Sequence, residues 1–115
     1  MNNLAERIVK LLEDRKATDV KMIDVKEVTT IADYFVIASG NSNLQVRALC
    51  DIIEEELEKD DIRPKHIEGR DGATWILMDY LDVVVHIFYY ETRNEYTIEE
   101  MWTKAPQLDS ERTDD

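Results

Sequence analysis

Two stretches set the terms for any fold this chain can adopt. Residues 32–39 (ADYFVIAS) and 83–90 (VVVHIFYY) are near-continuous apolar runs rich in Val, Ile, Phe and Tyr. A strand with one wet face alternates apolar and polar residues, whereas an unbroken run marks a strand covered on both faces. Residues 32–39, closed by Gly40, read as such a strand, and residues 83–90 read as a strong strand. With 115 residues, the chain has room for one domain built this way.

The remaining segments supply the other elements. Residues 3–16 read as a helix, with Leu4, Ile8, Leu11 and Leu12 on one stripe. Asn3 and Glu6 form a capping-box-like pair at its start, and Lys16 sits at the end that the helix dipole favours. Residues 20–26 alternate around Val20 and Met22 and predict a strand near an edge. Ser42-x-x-Gln45 is a capping box opening the clearest helix, whose stripe is Val46, Leu49, Cys50, Ile53 and Leu57. That helix ends near Asp60, ahead of Pro64.

Residues 65–68 predict a short strand, and Gly69-Arg70-Asp71-Gly72 a turn. Residues 74–79 (TWILMD) and 83–90 form an antiparallel hairpin around Tyr80-Leu81. Residues 91–102 read as a weaker helix docked through Tyr96, Ile98, Met101 and Trp102 and ended by Pro106. The expected class is a single α/β domain, more narrowly α+β with a mixed sheet, in the order α-β-β-α-β-β-β-α. The helix after the second strand implies a crossover. The domain is placed at residues 1–106 and an acidic, flexible tail at 107–115.

Charge restricts the partners. There are 26 acidic and 14 basic residues, a net charge of −12. Phosphate contacts need clustered Lys and Arg, so direct binding to DNA is not expected and contact with RNA is expected to be slight. A basic protein is the better complement. The excess is local, with seven acids in residues 51–61 and four in 107–115. Cys50 is the only cysteine, which excludes an internal disulfide and a thiolate zinc site, and its place on the apolar stripe predicts a buried thiol. No run reaches the roughly 20 apolar residues of a membrane span, and the start lacks a signal-peptide core. A cytoplasmic protein is expected.

The usual catalytic constellations are missing. His66 and His86 are the only imidazoles, and His86 lies within a strand, where a structural role is the expected one. The turn from Ser39 to Asn43 joins a strand to a helix but carries no Lys and no Walker spacing. Nucleotidyltransferases hold Mg²⁺ with Asp-x-Asp on one strand face, and this sequence contains no Asp-x-Asp. Asp79-Tyr80-Leu81-Asp82 has the wrong spacing. The reading is therefore a non-enzyme with no cofactor and no metal. What stands out is the hairpin. Trp75 is in phase with Leu77, and His86, Phe88 and Tyr90 share a face. If helices cover one side of the sheet, part of this aromatic set is left to bind a protein.

At these residues the chain resembles the ribosome silencing factor (RsfS, Iojap) family, over nearly all of residues 4–106. The resemblance rests on 32–40 (ADYFVIASG), Asn43-x-Gln45-Val46-Arg47-Ala48, 75–80 (WILMDY), 82–88 (DVVVHIF), Glu91-Thr92-Arg93 and Tyr96-x-x-Glu99-x-x-Trp102. It implies a nucleotidyltransferase-like fold without catalysis. It also implies binding to ribosomal protein fourteen of the large subunit, which blocks subunit joining and slows translation when nutrients are short. A homodimer when free is implied as well. The contact surface implied is the sheet around the hairpin: Trp75 and Tyr80 by match, then Asp79, His86 and Phe88 by position. Leu81 stands where the family usually has Gly, and adds an apolar residue beside that contact. Leu44 stands where a basic residue is usual. Trp75 and Tyr80 are five apart and fall on opposite faces of a regular strand, so either Tyr80 sits in the turn, where parity lapses, or one of the two assignments fails. Two other functions fit the same fold: assembly of the large subunit, and a nucleotide-handling enzyme.

Overall fold

The run at 83–89 becomes the central strand of a five-stranded sheet. The computed structural model describes residues 3–96. Their order is α1 (Asn3–Asp14), β1 (Thr18–Asp24), β2 (Tyr34–Gly40), α2 (Asn43–Glu58), β3 (His66–Glu68), β4 (Trp75–Asp79), β5 (Val83–Tyr89) and α3 (Tyr90–Arg93). This is the expected α-β-β-α-β-β-β-α domain. The expectations for Ile98, Met101, Trp102 and the tail at 107–115 lie outside the described residues.

Across the sheet the strands run β1-β2-β5-β4-β3. β2 and β5 pair in parallel, from Tyr34 opposite Val83 to Gly40 opposite Tyr89. The other pairings are antiparallel. The chain thus crosses by α2 from β2 to β3 at the far edge, then returns through the β4–β5 hairpin to the middle. β1 is the other edge, starting two residues before its predicted position and interrupted by a bulge between Thr18 and Lys21, where Asp19 takes φ 52°.

Strand parity divides the core in two. On one face Val36, Ala38, Ile76, Met78, Val83, Val85 and Ile87 meet Ala5, Ile8 and Leu12 of α1 and Val46, Leu49, Cys50, Ile53 and Leu57 of α2. On the other face Phe35, Ile37, Leu77, Val84 and Phe88 are closed over by Val25, Ile31 and Ala32 of the β1–β2 connection, with Trp75 and Tyr96 packed alongside. The run at 32–39 is covered on both sides, as its lack of alternation predicts, and so is β5. Truncating a fully buried side chain such as Ile53 costs about 2–5 kcal/mol.

Helix ends follow the local sequence. Ser42 caps α2 with its Oγ accepting from Gln45 N at 3.0 Å. Gln45 does not return the bond to Ser42. Its Oε1 accepts from Asn41 N at 2.6 Å and its Nε2 donates to the Lys16 carbonyl, tying this turn to the end of α1. α1 and α2 finish alike. Ala17 N donates to Leu12 O and Ile62 N to Leu57 O, each at 3.0 Å, around the left-handed residues Lys16 (φ 65°) and Asp61 (φ 64°). Lys16 therefore lies beyond α1, as its left-handed stop. Cys50 is buried, and that burial pushes its pKa up to about 11, so it is a packing residue.

Candidate protein-docking site

Trp75 opens β4 half-buried, at the rim of the sheet face opposite the helices. Its indole stacks on Phe88, with centroids 5.1 Å apart and planes at 24°. Tyr96 lies against it at 4.7 Å. The indole Nε1–H donates to Nδ1 of His86 at 3.0 Å. His86 is fully buried, 4.5 Å from the Phe35 ring. Burial pushes its pKa down to about 3, so the imidazole is neutral. Because Nδ1 accepts, the ring proton sits on Nε2, and Nε2 has no partner among the described residues.

The loop that delivers Trp75 is fastened to α2. Asn43, Arg47 and Asp51 recur every four residues and share one ridge. Asn43 Nδ2 donates to the Ala73 carbonyl at 2.9 Å. Arg47 donates to the carbonyls of Arg70 and Asp71, at 3.3 and 2.9 Å. Asp51 accepts a two-point bond from Arg70, at 3.0 and 2.7 Å. Gly69 begins this loop at φ 80°, and a Cβ there would lie 2.2 Å from the Trp75 carbonyl oxygen. Tyr96 is delivered from the other side. Arg93 of α3 is largely buried, donating to Ser39 Oγ at 2.8 Å and pairing with Asp19 at 3.5 Å.

At the far end of β4 the chain reverses through Leu81-Asp82. Tyr80 N donates to Val83 O at 2.9 Å and Asp82 N to Tyr80 O at 3.1 Å. Leu81 takes φ 74°, a value that suits Gly and strains a residue with a Cβ. Its side chain is 58% exposed. Asp79 is buried, and its Oδ1 accepts the Leu81 N–H at 2.8 Å. The Asp82 carbonyl accepts from Asp33 N and Tyr34 N, holding the turn against the start of β2.

The expected site residues therefore separate. Trp75 and Leu81 reach the surface, from the two ends of β4. His86 and Phe88 lie beneath Trp75, fully buried, rather than exposed beside it. Asp79 shapes the turn. Tyr80 does not leave strand parity in the turn: its ring joins the helix-side core, on the face away from Trp75, with its hydroxyl buried and without a partner among the described residues. The face opposite the helices is covered by the β1–β2 connection and Tyr96, so most of the aromatic set is core rather than open surface. Sequence reading had no role for the Asn43–Arg47–Asp51 ridge or for Arg93. The four-residue spacing of the ridge was the available signal. Leu44, in place of the basic residue usual there, is 75% exposed. Among the described residues no group of three or more His, Cys, Asp and Glu is placed to hold a metal ion, and no helix is long and apolar enough to cross a membrane.

Known proteins resemble this chain in sequence and fold. The family described as "Ribosomal silencing factor during starvation" matches residues 1–115. The ribosomal silencing factor RsfS of Bacillus subtilis is 39% identical over 97 residues, 84% of this chain and 82% of its own length. The RsfS of Halalkalibacterium halodurans is 36% identical over 108 residues, 94% of this chain and 92% of its own. A crystal structure of a Chromobacterium violaceum protein superposes with a TM-score of 0.81 at 30% identity, covering 90% of this chain and 88% of that one.

Proposed function

The chain belongs to the ribosomal silencing factor family, a family of non-enzymatic ribosome-binding factors, and from that membership we propose that it docks on the large ribosomal subunit through Trp75 and Leu81 and keeps the small subunit away. The partner in this reading is ribosomal protein fourteen, and the result is repression of translation under nutrient limitation. The observation that carries it is the state of Trp75. A large aromatic side chain stands partly exposed at the start of a strand, backed by buried rings. Such preorganised aromatic anchors dominate protein interfaces because little side-chain freedom is lost on binding. From Trp75 to Leu81 the contact would run about 20 Å at the strand rise of ~3.3 Å per residue. A net charge of −12 favours a basic protein over bare RNA. The free chain is read as a cytoplasmic homodimer.

The test is sedimentation with isolated large and small subunits, followed by mixing them and scoring joined ribosomes. Co-migration with the large subunit alone, with joining suppressed, is expected. Trp75→Glu should fold and lose that co-migration. Wild-type binding by Trp75→Glu would sink the site. Co-migration without suppression would move the reading to large-subunit assembly. Analytical ultracentrifugation of the free protein tests the dimer.

A further inference from the structure

Position 86 presents a problem that the rest of the core does not. It is fully buried among Phe35, Phe88 and Leu77, where an aliphatic side chain would pack with no polar atom to satisfy. Instead it holds an imidazole, and one of its nitrogens, Nε2, goes without a partner among the described residues. A buried polar atom left unpaired calls for a compensating role. The other nitrogen supplies it, since Nδ1 accepts the indole N–H of Trp75 at 3.0 Å.

We propose that His86 is the positioning residue for Trp75: its Nδ1 fixes which edge of the indole faces inward and so which edge meets a protein partner. This rests on the docking role of Trp75 given above and adds how that side chain is aimed. Ring contacts with Phe88 and Tyr96 limit tilt, but ring stacking is not directional within the plane. A bond to the one N–H of the indole is directional and distinguishes its two edges. The acceptor is well suited, because a strand imidazole with its ring wedged against Phe35 cannot follow the indole if it moves. His86 itself makes no contact with the partner in this scheme, which fits its complete burial.

The test combines binding and spectroscopy. Affinity for isolated large subunits is measured for Trp75→Phe, His86→Phe and the double variant. The indole N–H resonance of Trp75 is followed by ¹⁵N NMR in a Trp102→Phe background. Each single change should weaken binding by about fivefold to tenfold, and the double change by no more than either alone, because all three remove the same bond. The resonance should move upfield in His86→Phe and return toward its original position in His86→Gln, whose amide oxygen is again an acceptor. Additive losses, or an unmoved resonance in His86→Phe, would overturn the proposal. Should His86→Phe fail to fold, Trp75→Phe still decides, since binding at full strength without the indole N–H would equally overturn it. Wild-type affinity in Trp75→Glu would count against the docking reading itself, while the resonance would still report on the bond.

Discussion

Trp75 and Tyr80 pack on opposite faces of the sheet, one beside Phe88 and Tyr96, the other under the helices. They stand five positions apart in regular alternation, and the hairpin closes without breaking it. The buried Tyr80 hydroxyl has no hydrogen-bond partner among the described residues, and burial raises its pKa. Tyr80→Phe removes that unsatisfied group at almost constant volume. It should leave large-subunit binding unchanged and hold or raise stability, by up to about 1 kcal/mol. Urea denaturation alongside subunit sedimentation checks both. A loss of binding would place Tyr80 at the interface after all.

Leu81 sets stability against contact. At φ 74° its Cβ is strained, and its side chain is largely in solvent. Leu81→Gly relieves the strain while freeing the unfolded chain, a net gain of about 0.5–1 kcal/mol. The same change deletes an apolar contact, so subunit affinity should fall. A variant that is more stable and binds as well as wild type would remove Leu81 from the site.

Acid should weaken the fold through His86. Its pKa drops from the ordinary 6.5 to about 3 on folding, because burial disfavours the charged ring. Between those values the unfolded chain binds a proton that the folded chain refuses. Stability is therefore complete above pH 6.5 and declines as pH falls, by about 1.4 kcal/mol per unit once well below it. The check is urea unfolding from pH 7.5 to 5 in a His66→Gln background, where His86 is the one remaining imidazole. The slope should vanish in His66→Gln/His86→Phe. Its survival there would assign it to carboxylates.

The α2 ridge should matter locally. Arg47→Ala loses two bonds to loop carbonyls and should raise amide exchange through residues 69–75 at a cost of about 1 kcal/mol. Asp51→Asn should cost less, because the Arg70–Asp51 pair is nearly half exposed and screened. Gly69→Ala is the severe case, at least about 2 kcal/mol, since its Cβ would strike the Trp75 carbonyl from a left-handed backbone. Exchange mass spectrometry with thermal melts orders the three.

Much of this was legible in the sequence, and the divide has a physical basis. Ser42 announced its helix because a cap is a local device, read from four residues. The run at 32–39 declared double-sided burial by its lack of alternation. The partition of Trp75 from Tyr80 was also readable as parity, and it overruled the idea that the turn would rescue Tyr80. Other features depend on distant parts of the chain meeting. Nothing near His86 says that its acceptor serves an indole eleven residues earlier. Nothing near Arg93 points to Ser39, 54 positions away. The depth of His86 and Phe88 likewise followed from a covering loop whose path the pattern did not reveal.

The sheet is also assembled out of order. β1 and β2 are consecutive antiparallel partners, and so are β3 and β4. Either pair can form from nearby chain. β5 is made after all four and lies between them. Until it arrives, β2 has one bare edge whose proper occupant has not been synthesised. The parallel pairing of Tyr34 with Val83 closes a long loop, the kind of contact that slows folding. The rate at which this chain becomes native should therefore be governed by insertion of one strand, and the seven residues of β5 are where a substitution would most readily divert the nascent chain into aggregates.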